Sequence, residues 1–309
     1  MKLPPLNALR AFDAVARLSS VKDAAAELFV TPAAVSQQLK VLEAALGRKL
    51  LDRKVREVSL NDAGAVYHQA TTRHLRAIAD ATERLSPGKE IVNVTTVPSF
   101  ATLWLVPRMA HFTEANPKIE VRVEASPGMA RLGKDGFDLA VREGHGQYEG
   151  HETRLLFHGD AVPVATPAMA KTLQARSAAA RLKAWQEVRL LHESFYAALW
   201  TDWLAARGLG EVDATRGLHF SHTMLVLAAA RQGQGVALAP KFLLEDELRS
   251  GALVVVDPQE AVVPYSYYLV WPCEKPQPLS DAARRFRDWI LSEVRTTSQI
   301  NGRRATAKR

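Results

Sequence analysis

The sequence has little of what disulfide-stapled domains, membrane proteins and zinc proteins require. A single cysteine, Cys273, excludes a disulfide framework within the chain and a cysteine-based zinc site. No apolar run approaches the roughly 18 residues that a membrane span needs. The first residues also lack the apolar region of a signal peptide. These absences favour a soluble cytoplasmic protein with no membrane partner.

Motifs of common enzyme classes are missing as well. The sequence contains no G-x-S-x-G nucleophile elbow, no G-x-x-x-x-G-K-[ST] phosphate loop and no H-E-x-x-H zinc motif. Residues 144–150 imitate a dinucleotide fingerprint, but the third glycine comes one residue late and no helical pattern follows. The histidines are scattered, and Cys273 follows an apolar strand pattern where packing explains it better than nucleophilic chemistry. We expect no enzymatic activity, no cofactor and no metal.

Positive charge is concentrated at the two ends of the chain. The 309 residues carry a net charge of +7, and residues 1–61 hold ten Lys or Arg against six Asp or Glu. Residues 303–309 add four basic side chains, and the region between is close to neutral. A basic N-terminal module suits a polyanionic partner. The alternative is that an excess of this size is ordinary variation.

Three short helical patterns open the chain. Apolar residues recur at helical spacing from Leu6, and an Ala-rich second segment places Ala25, Leu28 and Phe29 on one face. The third begins at Thr31-Pro32, a favourable N-cap followed by proline at the first helical position. Its apolar stripe consists of Val35, Leu39, Leu42 and Leu46, and Gly47 follows as a C-cap.

The opposite face of the third helix suits the major groove of DNA. Small side chains allow close approach, glutamine can bond adenine in bidentate fashion, and lysine can reach phosphates. Residues 49–60 then predict a basic β-hairpin wing that reaches phosphates or the minor groove. The candidate DNA-binding residues are Thr31, Pro32, Ala33, Ser36, Gln37, Lys40, Arg53, Lys54 and Arg56. The alternative is the solvated face of a small helical bundle.

The stretch AAAELFVTPAAVSQQLKVLE over 24–43, with Leu46-Gly47 and residues 50–53 and 60–64, closely resembles the winged helix-turn-helix of LysR-type transcriptional regulators. Leu51 and Asn61 depart from the Phe and Thr that are usual in that family. Residues 62–85 follow as a long helical pattern, apolar on one side, which favours a partner helix. The resemblance implies pairing with the same helix of a second subunit, and the alternative is packing within the chain.

From Ile91 onward, strand and helix patterns alternate, which predicts an α/β architecture with largely parallel sheets. We expect strands over 91–97, 119–124 and 137–142 and a helix over 100–115. Segments 99–108, 137–144 and 233–240 resemble the LysR effector-binding domain. They are nearest to the branch of the glycine-cleavage-operon activator and the β-lactamase regulators. That domain has the two-lobed fold of periplasmic solute-binding proteins.

The resemblance implies four segments. They are a winged helix-turn-helix domain (1–61), a dimerisation helix as linker (62–88), an effector-binding domain (89–295) and a basic, disordered tail (296–309). Lobe I would comprise about 91–163 and 268–295, and lobe II about 164–267. The fold class is α/β with an N-terminal all-α winged helix-turn-helix.

The resemblance implies that a small effector binds in the cleft between the lobes. Ligands of open α/β sheets gather where strands end and helices begin. The candidate contacts are Ser99, Phe100, Arg142, His192, Ser221, His222 and Tyr267. Ser99 and Arg142 would suit an anionic group. The alternatives are an N-cap role for Ser99, an internal ion pair for Arg142, and ordinary core or surface histidines at 192 and 222.

The expected function is sequence-specific regulation of transcription at an interrupted inverted repeat, in response to a small molecule. The resemblance implies double-stranded DNA, the effector, RNA polymerase and further copies of the chain as partners, in a homodimer and then a homotetramer. It also implies a nucleoid-associated protein of the cytoplasm. The alternatives are a solute-binding protein without regulatory role and a DNA binder that ignores sequence.

Overall fold

The computed structural model describes residues 3–54, 57–83, 90–126, 132, 135–196, 198–273 and 278–306. The chain divides into two compact units, Met1–Pro87 and Gly88–Arg309. The first unit contains helices and one hairpin, and the second contains two mixed sheets with helices around them.

The first unit opens with three helices, of which the second and third begin at side-chain caps. These are α1 (Leu6–Leu18), α2 (Val21–Glu27) and α3 (Pro32–Leu46). The Ser20 hydroxyl accepts a hydrogen bond from the Asp23 N–H, and the Thr31 hydroxyl accepts one from the Ala34 N–H, so both caps form. Gly47, with φ +64°, ends α3. Their shared core includes Ala8, Phe12, Val15, Ala24, Ala25, Val35, Leu39 and Leu42.

A hairpin and a long helix complete the first unit. Strands β1 (Leu51–Lys54) and β2 (Glu57–Leu60) pair antiparallel, and α4 spans Asp62–Glu83. The Asn61 side chain accepts from the Gly64 N–H at 2.9 Å and donates to the Lys49 carbonyl at 3.1 Å. A Cβ at Gly64 would lie 2.0 Å from the Leu50 carbonyl oxygen, so only glycine permits this approach. Asn61 therefore keeps the cap of α4 despite its departure from the family pattern.

The second unit has ten strands and eight helices among its described residues. The strands are β3 (Glu90–Thr96), β4 (Ile119–Ala125), β5 (Leu139–Gly144), β6 (His151–His158), β7 (Ala161–Ala165), β8 (Leu190–Glu193), β9 (Gly217–Phe220), β10 (Val236–Pro240), β11 (Val254–Val255) and β12 (Ser266–Pro272). The helices are α5 (Pro98–Phe100), α6 (Met109–Ala115), α7 (Pro167–Leu173), α8 (Ala178–Glu187), α9 (Leu199–Ala206), α10 (Thr223–Arg231), α11 (Glu245–Ser250) and α12 (Asp281–Thr306).

Each lobe of the second unit is built on one five-stranded sheet. The order is β4-β3-β5-β12-β6 in the first lobe and β11-β7-β10-β8-β9 in the second. β3 pairs in parallel with β4 and β5, whereas β12 runs antiparallel to β5 and β6. The sheets are therefore mixed rather than largely parallel. The chain enters the second lobe at β7, which begins at Ala161, and returns to the first lobe at β12, which begins at Ser266. Both crossings lie a few residues before the predicted boundaries at 163 and 268.

Two segments differ from the sequence-based prediction. The region expected to form one helix over 100–115 is divided into α5, a π-helical turn (Ala101–Leu105), a 3-10 turn (Val106–Arg108) and α6. Pro107 lacks a backbone N–H, so the α-helical ladder cannot continue through it. The segment expected to be a disordered tail is helical as far as Thr306, because α12 continues through it; residues 307–309 lie outside the described residues. No helix in the described ranges has the length and hydrophobicity needed to cross a bilayer.

Candidate functional site

One face of α3 carries the predicted DNA-binding residues of the helix. Ala33, Gln37 and Lys40 are exposed, and Ser36 is half-buried beside them. Thr31 and Pro32 are exposed at the start of the same helix, where the Thr31 hydroxyl caps it at 3.2 Å from the Ala34 nitrogen. The helix thus presents small and polar side chains outward while its apolar stripe is buried. The backbones of Arg53 and Lys54 lie in β1, and Arg56 lies outside the described residues.

Glu43 joins α3 to the hairpin. Its side chain is 7% exposed, and its Oε1 accepts a hydrogen bond from the Leu50 N–H at 2.9 Å. Its Oε2 accepts from Lys49 Nζ at 3.2 Å. Burial alone would raise the pKa of Glu43, but the bonds from Leu50 and Lys49 outweigh it and the pKa lies below its usual value. Glu43 therefore fixes the start of β1 against the helix, although no sequence motif marks it for this role.

Phe29 is not part of the inner face of α2, contrary to the sequence-based prediction. Its φ is +55° and its side chain is 95% exposed. The helix ends two residues before Phe29, at Glu27, with Leu28 as its C-cap. A left-handed residue after the cap turns the side chain away from the face that Ala25 buries.

Ser99 connects the two lobes of the second unit. It lies in α5, at the carboxyl end of β3, and its hydroxyl accepts a hydrogen bond from the Met224 N–H at 3.2 Å. Met224 is in the first turn of α10, in the second lobe. The neighbouring Thr223 hydroxyl donates to Glu193, which ends β8. The strand and helix ends of both lobes therefore meet here, and a contact between Ser99 and an effector stays a prediction.

Two carboxylates extend this cluster. Glu143 on β5 lies opposite Tyr267 on β12 in the strand register. Burial first, and then the nearby Glu193 charge, raise the pKa of Glu143 to about 7, although hydrogen bonding to Tyr267 opposes this. Its Oε1 is buried without a hydrogen-bond partner in the described part of the chain. Burial also raises the pKa of Glu193, against the effect of its bonds from Thr223.

Tyr267 and Phe100 lie deeper than the carboxylates. Tyr267 is 2% exposed, and burial together with the charges of Glu143 and Glu193 raises its pKa well above the usual value. The Phe100 ring is fully buried, 4.8 Å from Trp104 and 6.3 Å from Tyr267 between ring centroids. Phe100 therefore supports the cluster from the core.

The three remaining candidates of the second lobe lie near the ends of β8 and β9. His192 is buried and stacks on His219 at 4.4 Å, and burial lowers its pKa. Ser221 and His222 lie between β9 and α10, with the Ser221 hydroxyl 2.7 Å from His222 Nδ1. Ser221 is exposed and His222 half-buried, so both are open to a ligand at the start of α10.

Arg142 does not join this cluster. Successive side chains of a strand point to opposite faces. Leu139 and Val141 face the large core of the first lobe, so Glu143 continues their face and Arg142 points to the other. Its guanidinium is buried and donates to the Thr95 hydroxyl at 2.7 Å and to the Val141 carbonyl at 3.0 Å. These bonds hold the guanidinium inside the first lobe, and a contact between Arg142 and an effector stays a prediction.

Two family models match the chain in the order of its two units. The model described as "Bacterial regulatory helix-turn-helix protein, lysR family" matches residues 6–65, and "LysR substrate binding domain" matches residues 87–295. The chain belongs to the LysR family of transcriptional regulators. In this chain, α2 and α3 form the helix-turn-helix. The second unit is the effector-binding domain.

Full-length relatives place this LysR-family chain in the predicted branch. It is 36% identical over 295 residues to the glycine cleavage system transcriptional activator of Escherichia coli (strain K12), covering 95% of each chain. It is 33% identical over 293 residues to the HTH-type transcriptional activator AmpR of Citrobacter koseri, covering 93% of this chain and 97% of that one. Both relatives are regulators of transcription rather than enzymes.

Solved structures confirm the predicted fold class. The effector domain of the transcriptional regulator AmpR of Pseudomonas aeruginosa matches with a TM-score of 0.57 and 29% identity, over 69% of this chain and 99% of that one. The full-length virulence activator AphB of Vibrio cholerae matches with a TM-score of 0.55 and 22% identity, over 93% and 99%. The second match shows similarity of fold alone.

Three polar residues of the LysR effector-binding domain escaped the sequence analysis. Glu143, Glu193 and Thr223 each stand at the end of a strand or the start of a helix. The alternation of β5 carried the signal for Glu143, because it follows the buried Leu139 and Val141 at a spacing of two. In the described ranges, no group of three or more His, Cys, Asp or Glu side chains is arranged to hold a metal ion.

Proposed function

We propose that this LysR-family regulator binds an interrupted inverted repeat near promoters, with one α3 helix in the major groove of each half-site. The observation that carries the proposal is the exposed face of α3, where Ala33 and Ser36 allow close approach and Gln37 and Lys40 reach bases and phosphates. The basic residues Arg53, Lys54 and Arg56 of the predicted wing would add contacts to phosphates or the minor groove.

Dimerisation through α4 would set the spacing of the two half-sites. Val66 and Ile78 on α4 are 70% and 53% exposed, which favours burial against a second helix. Val66 and Ala70 also line a pocket with Leu46 and Leu50, next to the hairpin. Two such modules related by a two-fold axis would read half-sites about 34 Å apart. Association into a homotetramer and contact with RNA polymerase, at the nucleoid in the cytoplasm, complete the proposed assembly.

The proposed effector is a small molecule with a protonated amine or a similar donor group. It would lie at Ser99, Glu143, Glu193, Thr223 and Tyr267, with His192, Ser221 and His222 near the same strand and helix ends. Both carboxylates are buried, and the charge of Glu193 raises the pKa of Glu143. A bound cation would offset this repulsion. The sequence favours an anionic effector through Ser99 and Arg142 together, but Arg142 lies on the opposite face of β5 from Glu143.

Effector binding would act on transcription by changing the balance between two arrangements of the assembled regulator. Such coupling requires the effector to bind the two arrangements unequally. The bond from Met224 to Ser99 is a contact between lobes that a ligand could replace, and this would alter how the lobes close. The proposal therefore separates DNA binding in the first unit from effector response in the second.

Footprinting of the full chain on the DNA upstream of its own coding region tests the proposal. It is run at two salt concentrations with scrambled DNA as competitor. A protected interrupted repeat that survives the competitor supports sequence-specific regulation. If scrambled DNA removes the protection as effectively as the operator itself does, the protein binds DNA without regard to sequence. Absence of binding in a genome-wide selection, with ligand binding retained, would favour a solute-binding protein.

A further inference from the structure

The turn between α2 and α3 carries an exposed aromatic residue in a conformation that disfavours it. Phe29 has φ +55°, and the other described non-glycine residue with positive φ is Ser19. A left-handed backbone brings Cβ close to the following carbonyl oxygen, so it costs free energy in every residue but glycine. Bulky side chains at such positions are uncommon.

The turn after α3 has the same hydrogen bonds as the turn after α2, but it avoids the conformational cost of a left-handed phenylalanine. After α2, the Val30 N–H donates to the Ala25 carbonyl at 3.0 Å and the Phe29 N–H to the Ala26 carbonyl at 3.3 Å. After α3, the Arg48 N–H donates to the Glu43 carbonyl and the Gly47 N–H to the Ala44 carbonyl in the same pattern. The left-handed position is glycine in α3 and phenylalanine in α2.

The ring of Phe29 adds no packing to the core of the first unit. It is 95% exposed, and the core of the first unit is built from other residues. In the part of the chain that the structure describes, no aromatic ring packs on it. The backbone conformation therefore reduces the stability of the free protein, and the ring, which stays in water as it does in the unfolded chain, adds no burial to offset that cost.

The position of Phe29 identifies what would cover it. It stands two residues before Thr31, which caps α3, and Val30 between them is also half exposed. Thr31, Pro32 and Ala33 are exposed in the next turn. Any partner that α3 enters end-on, as a recognition helix enters the major groove, therefore meets Phe29 at the same time.

We propose that Phe29 is a DNA-contacting residue whose ring packs on the apolar surface of deoxyribose and thymine methyl groups beside the helix. The inference rests on the proposed function of α3 in DNA binding. Aromatic rings are known partners of the thymine methyl group. The left-handed turn holds the ring outside the protein before DNA arrives, so no rearrangement is needed on binding.

The test compares Phe29→Gly and Phe29→Asn with the wild-type chain. Both replacements suit a left-handed backbone and remove the ring. We expect the dissociation constant for the footprinted operator to rise about tenfold, while the melting temperature stays the same or rises. The slope of affinity against salt should not change, because no phosphate contact is lost. Phe29→Leu should give a smaller loss of affinity.

Ser19→Gly is the matched control. It relieves the same kind of left-handed residue at the end of α1 without removing an aromatic ring, so it should raise the melting temperature and leave operator affinity unchanged. Variants of Phe29 that bind the operator as tightly as the wild type would overturn the inference. A fall of several degrees in melting temperature would also overturn it, since the ring would then stabilise the fold.

Further outcomes distinguish the Phe29 contact from the DNA binding by α3 on which it rests. Unchanged operator affinity with an altered oligomeric mass would assign Phe29 to a contact between protein chains, against the inference. A wild-type chain that selects no DNA site would remove the proposed function and the Phe29 contact together. Specific binding by the wild type that Phe29→Gly retains would remove the Phe29 contact alone.

Discussion

Glu43 of the recognition helix accepts a hydrogen bond from the Leu50 N–H at 2.9 Å, and this bond sets where the wing begins. Leu50 is buried, so its amide has no access to water as a substitute partner. Helix α3 and the hairpin of β1 and β2 therefore share one fixed joint. The same carboxylate also meets Lys49, but that lysine is 79% exposed and contributes little.

Replacing Glu43 should loosen the wing more than replacing Lys49. Glu43→Ala leaves the buried Leu50 amide unpaired, which costs about 1–3 kcal/mol, whereas Lys49→Ala removes an exposed charge at a cost below about 0.5 kcal/mol. Hydrogen exchange of peptides covering 48–54 measures the difference, with faster exchange expected in Glu43→Ala. Equal protection in both variants would mean that the joint does not depend on this carboxylate.

Gln37 and Gln38 offer a matched pair for base recognition. Gln37 is exposed on the outer face of α3, whereas Gln38 is half-buried and lines a pocket with Asn7 and Arg10 of α1. Gln37→Ala should weaken specific binding by about 1–3 kcal/mol and relax preference at one base position. Gln38→Ala should leave preference unchanged. Binding-site selection with randomised DNA decides, and unchanged selectivity in Gln37→Ala would remove that residue from base readout.

The DNA-binding module was largely predictable because its signals are local. Thr31, Pro32 and Gly47 mark the ends of α3, and the stripe from Val35 to Leu46 identifies its buried face. Phe29 was assigned to the wrong face because helical spacing was extended past the end of α2. The residue at which α2 ends depends on the turn that follows it, and the spacing of apolar residues does not show where that turn begins.

The effector site was less predictable because it depends on contacts distant in sequence. Ser99 was expected at a strand end, but its partner Met224 lies in the other lobe, and Glu193 comes from a third segment. Arg142 was preferred to Glu143 because a guanidinium suits an anionic ligand. The face of a strand is fixed by its neighbours in the sheet, and Leu139 and Val141 place the glutamate toward Tyr267.

Ser99→Ala should separate effector response from DNA binding. The substitution removes the acceptor of the Met224 N–H between the lobes but leaves the first unit intact. Operator affinity without effector should stay close to that of the wild type, because α3 belongs to a separate compact unit. The effector-induced change in footprint should shrink. Thr102→Ala, which loses only a long contact to the Met224 sulfur, serves as control.

A collapse of operator binding in Ser99→Ala would contradict this division of roles. In that case the contact between lobes would determine whether the DNA-binding modules are assembled at all. Footprinting at several protein concentrations distinguishes a change of affinity from a change of assembly, because only the latter alters the steepness of the binding curve.

Glu143 should make the stability of the second unit depend on pH near neutrality. Its pKa is raised from 4.5 to about 7, so the unfolded chain loses this proton at lower pH than the folded one. The free energy of unfolding should therefore fall as pH rises from about 4.5 to 7, by up to about 3 kcal/mol, and stay reduced above that. Glu143→Gln, which cannot ionise, should remove this fall and be more stable than the wild type at pH 8.

Denaturant unfolding of the second unit between pH 5 and pH 8 measures this effect, with Glu152→Gln as control because Glu152 is an exposed glutamate on β6. A ligand with a protonated amine should reverse the trend, since it stabilises the ionised carboxylate and so binds more tightly as pH rises toward 7. A carboxylate ligand should show the opposite pH dependence. If Glu143→Gln bound amines as tightly as the wild type at pH 8, the acidic pair would not be the effector contact.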